Sequence, residues 1–433
     1  MARLLIVGIL GVIGATMAQA NDLLGAYRQA LENDALYAAA QAERRAGQER
    51  ESMGWAGILP QISFDAQTSW SETEYEVANG NVEQRQQNRS YGVQLVQPLF
   101  RWQNWIEYQQ GSLHKALAEL RTRTTVQTLI MQVARAYFEV LHAQDVIEAI
   151  LQLRVSDYEQ LVSARKNFEL GSTTIVDVHE AQMSYDSTNA QLIKARSDLG
   201  IARHALSRIT GRPAQELGTL RERINLLSPE PIDIETWVNA AERSSLEVQI
   251  QELTADIAKN EVRSRKAEHL PSIDVILSQN MQQNPNANTR QSESAAIGLR
   301  LSMPLYSGGR LSASAREAVA LHQQAEYKLL DARRSSALAT REAWAGVTDG
   351  VAQIEALKVA RVSAQSAVDS NLLGYKAGMR ASADVLKVQS QLSEIIRQLA
   401  KARYDVLLAQ LQLKAVVGVL EEHDLAEIST LLQ

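Results

Sequence analysis

The chain repeats itself, and this constrains its fold more than any other feature. Phe168-Glu-Leu-Gly171-Ser-Thr-Thr-Ile-Val-Asp177-Val178 aligns with Tyr375-Lys-Ala-Gly378-Met-Arg380-Ala-Ser-Ala-Asp384-Val385 at a shift of 207 residues. The same shift carries Leu192-Ile-Lys-Ala-Arg-Ser-Asp198 onto Leu399-Ala-Lys-Ala-Arg-Tyr-Asp405, and Gly211 onto Gly418. Upstream, Leu59-Pro60-Gln-Ile62 matches Leu270-Pro271-Ser-Ile273, and Gln97-Pro98-Leu-Phe100 matches Met303-Pro304-Leu-Tyr306, at shifts of 211 and 206. Helical segments share Leu and Ala by composition alone. They do not by chance share two Pro-Leu junctions and two Gly-x5-Asp motifs in one order. The chain is a tandem duplication, and what one half builds the other builds again.

Each half opens with two segments of period two. Ile62, Phe64, Ala66, Thr68 and Trp70 alternate with polar neighbours, as do Tyr91, Val93 and Leu95. In the second half Ile273, Val275 and Leu277 do the same, and so do Ile297, Leu299, Leu301 and Met303. The pattern predicts strands of at most about ten residues with one apolar face, bounded by polar loops at 77–90 and 283–292. A soluble hairpin resting on a core alternates in the same way as a strand of an outer-membrane barrel, so alternation leaves both open.

The rest reads as helix of unusual length. From about Trp105 to Leu170, and from Arg310 to Lys376, there is no proline and little glycine. At 1.5 Å per residue, ~65 residues make a rod of roughly 100 Å. After each Gly171 or Gly378 turn a second rod returns. Its seam is Val385, Val388, Leu392, Ile395, Leu399, Ala402, Val406, Ala409, Leu413 and Val416, in steps of three and four. The first-half counterpart is Val178, Ala181, Tyr185, Thr188, Leu192, Ala195, Leu199, Ala202, Leu206 and Ile209. Such heptads predict antiparallel coiled coil.

The first twenty residues stand apart. Arg3, an apolar run from Leu4 to Ile13 and Ala18-Gln19-Ala20 read as an export signal with an A-x-A cleavage site. The run is too short to span a bilayer. The 50 acidic residues exceed the 44 basic ones, which argues against a nucleic-acid partner. No cysteine is present, so disulfide scaffolds and thiolate metal sites are excluded. No P-loop, H-E-x-x-H or G-x-S-x-G occurs, and the seven histidines at 114, 142, 179, 204, 269, 322 and 423 read as solvated helix residues. An exported enzyme therefore lacks a catalytic constellation, and no cofactor or metal is expected.

Two hairpins cannot close a barrel, and edges left open in lipid would strand unpaired backbone groups. Closure needs several chains: two give eight strands with a filled interior, three give twelve with room for water. Rods of such length then project from the barrel into the periplasm. The competing reading is a soluble periplasmic coiled-coil adaptor without a pore. Four strands placed symmetrically before the rods speak against it.

With these residues in view, the chain resembles the TolC family of outer-membrane efflux and type I secretion channels. The likeness runs from Leu24-Gly-Ala-Tyr27 to Gly418-Val-Leu420 and onward to Asp424-Leu425. It is dense at Ala134-Arg-Ala-Tyr137-Phe138-Glu-Val-Leu141-His-Ala-Gln-Asp145-Val146 and at Ser302-Met303-Pro304-Leu305-Tyr306-Ser307-Gly308-Gly309. Two departures are the absence of a long polar tail after the last helix and Asn33-Asp34 where the family often has Asn-Pro. The resemblance implies a mostly α chain with membrane β: tandem-duplicated antiparallel coiled-coil helices plus four strands, completing a twelve-stranded barrel in a homotrimer embedded in outer-membrane lipid. A periplasmic adaptor and an inner-membrane ABC or proton-driven transporter are the implied partners. The implied division is signal peptide 1–20, N-terminal helical region 21–59, hairpin 60–100, coiled-coil helices 101–211, linker and equatorial region 212–270, hairpin 271–306, coiled-coil helices 307–418 and C-terminal segment 419–433.

The same resemblance assigns roles at the helix turns Gly171 and Gly378. Family channels close there at rest, with a ring of acids and ties between neighbouring helix pairs. Asp384 matches a constriction acid, while Asp177, Tyr375 and Arg380 match tying residues, Arg380 being expected to reach across to Asp177. The family places a second acid three residues beyond the first; this chain has Lys387 there, which lowers the charge of the ring.

Overall fold

The computed structural model describes residues 22–77, 80–214, 217–221, 228–286 and 289–432. The export signal at 1–20 lies outside them. The duplication is complete, element for element. Repeat one is α1 (Leu23–Asn33), α2 (Ala35–Ala56), β1 (Gln61–Val77), β2 (Gly80–Phe100), α3 (Trp102–Glu169) and α4 (Ile175–Thr210). Repeat two is α5 (Ile234–Ser244), α6 (Leu246–Ala267), β3 (Ser272–Asn286), β4 (Thr289–Ser302), α7 (Arg310–Lys376) and α8 (Ser382–Val417), followed by α9 (Glu422–Ser429). The duplication extends upstream of the sequence matches noted above. At 11 and 22 residues, α5 and α6 have the lengths of α1 and α2 at the shift of 211.

Local chemistry sets these boundaries. Asp22 Oδ1 accepts from Gly25 N at 2.7 Å and starts α1. Asp34 ends it and begins α2 by accepting from Tyr37 N at 2.8 Å, the N-cap role of a short carboxylate. Gly211 and Gly418 end α4 and α8 at φ 71° and 85°, where a side chain would be strained.

The 68 residues of α3 and 67 of α7 make rods of about 100 Å. Two shorter helices run beside each rod, α2 on the sheet-side part of α3 and α4 on its far part. The α2–α3 approach is nearly backbone to backbone: a Cβ on Gly54 would lie 2.8 Å from the Glu107 carbonyl, and one on Gly111 2.8 Å from that of Arg50. Both heptad seams are realised, every seam residue being buried or half-buried. Leu399, Ala402 and Val406 pack on Val347 and Ile354 of α7. The sequence reading missed a second seam on α8. Leu386 packs on Leu161 and Ala164 of α3, and Tyr404 stacks on Phe138 at 5.7 Å. Helix α8 therefore joins the two repeats. Near mid-height, Tyr137, Phe138, Leu206, Leu407, Leu411, Leu425 and Leu23 gather residues from five helices into the largest core.

The four strands form one antiparallel sheet in the order β1-β2-β3-β4. They are longer than alternation suggested, at 17, 21, 15 and 14 residues. The segments read as polar loops at 77–90 and 283–292 are mostly ladder, with Gln67 paired to Ser90 and the pairing running on to Val77 and Gly80. Where both faces are polar the hydrophobic period vanishes while the backbone pairing continues, so periodicity underestimates the strand. Among the described residues no helix is long and apolar enough to cross a membrane.

Candidate functional site

Register aligns the apolar positions across the whole sheet. Ile62 faces Leu95, Leu95 faces Leu277, and Leu277 faces Ile297. The next rows hold Phe64 with Val93, Val275 with Leu299 and Ile273 with Leu301. Directly paired residues share a face, so one surface of all four strands is apolar. It is also uncovered: Ile62, Phe64, Trp70, Ile297, Leu299 and Leu301 are 66–76% exposed. The other face carries Ser63, Gln94, Ser278, Asp65 and Asn280. At its base Asp274, 3% exposed, accepts from Arg101 Nε at 2.9 Å and Nη2 at 2.7 Å. This fork ties the start of α3 to a strand of the other repeat. The sequence reading missed it, because the partners lie 173 positions apart.

At the far end the two turns share one backbone. Gly171 N donates to the Phe168 carbonyl at 2.9 Å and Ser172 N to that of Asn167 at 2.9 Å. In repeat two Gly378 N donates to Tyr375 at 3.0 Å and Met379 N to Gly374 at 2.9 Å. Gly171 and Gly378 have φ of 73° and 71°, the left-handed value each turn needs. The side chains differ. Thr174 caps α4 and forms a reciprocal box with Asp177, whose Oδ2 also accepts from Thr173 Oγ1 at 2.5 Å. These hydroxyl donors, that of Thr173 foremost, hold the Asp177 carboxyl below the usual carboxylate range. Asp384 has no such cap, since its N-cap is Ala381; Arg380 Nη1 stands 3.7 Å from its Oδ2.

Within one chain, then, Arg380 pairs with Asp384 and does not reach Asp177, whose Oδ2 is held by its own turn. Both partners of the Arg380 pair are about half exposed, so it is worth ~0–1 kcal/mol. Tyr375 Oη accepts from Asn167 Nδ2 at 3.2 Å, joining the two tips. Lys387 is exposed on the first turns of α8, beyond Asp384. Leu170, Leu373 and Met379 leave the tip surface apolar, at 71%, 71% and 77% exposed.

Between sheet and tips, α3 holds one half-buried carboxylate, Asp145, and one fully buried, Asp157. Asp145 accepts from Tyr404 Oη of α8 at 2.7 Å. Asp157, wholly buried, accepts from Ser184 Oγ at 3.1 Å and Thr188 Oγ1 at 2.6 Å. Burial raises both pKa values. The histidines are less uniform than their scatter suggested. His114 and His142 are half-buried, and burial depresses both imidazoles.

Comparison with known proteins bears on all of this. The family model described as outer membrane efflux protein matches residues 26–212 and 237–419. The alkaline protease secretion protein AprF of Pseudomonas aeruginosa is 31% identical over 416 residues, covering 94% of this chain and 86% of that one. The outer membrane protein TolC of Escherichia coli strain K12 is 30% identical over 431 residues, covering 96% and 86%. The proteases secretion protein PrtF of Dickeya chrysanthemi is 29% identical, covering 96% and 92%. Among solved structures, the outer membrane protein VceC of Vibrio cholerae superposes with a TM-score of 0.80 over 92% of this chain and 96% of that one, at 18% identity. The CmeC outer membrane channel of Campylobacter jejuni gives 0.80 over 95% and 90% at 14% identity, and both likenesses speak to the fold. Duplication, sheet, rods and sequence agree: the chain belongs to the outer membrane efflux protein family.

Proposed function

We propose that three copies of this chain form an outer-membrane channel-tunnel, the exit duct for type I protein secretion and/or tripartite drug efflux. One observation carries the assembly: an uncovered apolar surface spans all four strands, while β1 and β4 end the sheet as edges. In lipid such edges need partners. Pairing β4 of one copy with β1 of the next closes twelve strands around a lumen with room for water, whose wall is the polar face. The rods hang about 100 Å into the periplasm. There a periplasmic adaptor and an inner-membrane ABC or proton-driven transporter engage them. AprF and PrtF are named for protease secretion, which supports the protein-export arm. The chain contributes no catalysis and needs no cofactor. A soluble adaptor has no use for a sheet apolar on its outer face.

The tips form the gate in this reading. Asp384 lines the constriction with Lys387 beside it, and Arg380 compensates much of its charge within each chain. Tyr375, Arg380 and Asp177 take part in the ties that hold neighbouring helix pairs together. A few kcal/mol summed over the ring suffices to hold such an equilibrium closed.

Detergent-extracted protein is expected to be a trimer and to conduct in planar bilayers. A stable monomer, or recovery wholly in the soluble fraction, overturns the proposal. Asp384→Ala is expected to weaken cation selectivity, read as a change in reversal potential. An unchanged reversal potential places the constriction elsewhere.

A further inference from the structure

The duplication superposes Asn167 on Gly374, and these two positions touch the gate residues in different ways. Their carbonyls do the same work, each accepting from the residue five positions on at 2.9 Å. From that shared place Asn167 Nδ2 crosses to Tyr375 Oη at 3.2 Å. Gly374 offers no side chain, and the stem of Arg380 lies where one would be. A Cβ at Gly374 would meet Arg380 Cγ at 2.8 Å and its Cβ at 3.6 Å.

The backbone does not require this glycine. Gly374 lies inside α7 and is not among the positive-φ residues. A glycine there costs about 0.5–1 kcal/mol relative to alanine. It is buried in the last turn of the rod, and the space it leaves is filled by one side chain. That stem is thereby directed along the first turn of α8, where the guanidinium meets Asp384.

We propose that Asn167 and Gly374 are positioning residues of the gate: Asn167 sets the Tyr375 hydroxyl, and Gly374 is the socket that aims Arg380. One duplicated position thus serves both tying residues of the second tip, once by a side chain and once by the lack of one. The proposal rests on the gate reading above.

Single-channel conductance of trimers in planar bilayers tests it. Gly374→Ala is expected to raise conductance as much as Arg380→Ser does, and the double variant no further. Asn167→Leu, similar in size and without a donor, is expected to raise conductance without adding to Tyr375→Phe. Asn167→Asp, which can accept from the tyrosine hydroxyl, is expected to restore the resting value. A purely structural role would instead shift the thermal midpoint, and Gly374→Ala gains helix propensity there. If Arg380→Ser and Tyr375→Phe open the channel while Gly374→Ala and Asn167→Leu conduct like the wild type, the positioning roles are overturned and the gate reading stands. If Arg380→Ser and Tyr375→Phe themselves change nothing, the gate reading fails, and the proposal with it.

Discussion

The two repeats have the same backbone and different chemistry, and the difference is concentrated where function is placed. Along much of the seams the halves are interchangeable: Leu192 and Leu399, Ala195 and Ala402, Leu206 and Leu413 do equivalent work. At the tips they are not. Thr173, Thr174 and Asp177 satisfy one another, so the first turn is closed on itself. Their counterparts Arg380, Ala381 and Asp384 leave a half-exposed ion pair and an uncapped helix start. Repeat one supplies a rigid tip and repeat two an adjustable one. The two copies share a scaffold, and only the first carries the side-chain cap at its tip.

The largest expected effect tests where the halves should agree. Val93 and its counterpart Leu299 lie on the apolar face. Arginine at either is expected to cost ~2–4 kcal/mol at the bilayer midplane and to lower the yield of inserted trimer alike. Ser302→Arg, on the polar face, is expected to be mild. If Val93→Arg inserts normally while Leu299→Arg does not, the two hairpins do not share one lipid surface.

The next effect falls on one repeat alone. The N-cap of α3 is Arg101 and that of α7 is Gly309, so repeat two has no equivalent of the fork to Asp274. Arg101→Ala leaves a buried carboxylate without its partner. The arginine is partly exposed, so the expected cost is about 2 kcal/mol, less than the ~3–5 of a fully buried pair. The thermal midpoint of the trimer measures it. Asp274→Asn, which keeps an acceptor and removes the charge, is expected to cost less. Equal losses would mean that the charge itself carries the joint.

The smallest effect depends on pH. Asp157, Ser184 and Thr188 align with Ala364, Gln391 and Ile395, so only the first repeat buries a carboxylate in its seam. Burial raises this pKa. Its stabilising contribution is therefore complete below the ordinary carboxylate pKa and lost as pH rises through the raised one. Asp157→Asn is expected to gain stability relative to wild type on going from acid to neutral pH. Midpoints of both proteins against pH decide it. A difference that does not change with pH removes the carboxylate as its cause.

Much of this was legible in the sequence because a duplication gives two readings of every element. The rods and seams were plain, since Leu, Val and Ala recur at three and four over ten positions. Strand ends were not, because Gln84 to Ser90 pair along the backbone while carrying no apolar alternation. The second face of α8 was hidden as well: Ser393 and Tyr404 break the apolar pattern, yet both are buried against α3. At the tips the spacing marked Asp177 and Asp384, and the family resemblance added Arg380. It could not say that Asp177 would be held by two threonines, because a capping box and an interchain tie ask for the same residue at the same place.

The mid-height core has a consequence for how the chain is made. Its first helix, α1, lies against its last, α9: Leu24 N donates to Ser429 Oγ at 3.1 Å, and Arg28 meets Glu422 at 3.0 Å. Leu23 and Leu425 are both fully buried in one cluster. These contacts join residues some 400 positions apart, and their formation waits on the whole intervening chain. A polypeptide crossing the inner membrane N-terminus first therefore carries an unsealed α1 until its final helix arrives. A chain cut short never covers that surface. The closing of this waist marks a finished subunit, and in the proposed trimer only a finished subunit offers its neighbours a complete wall.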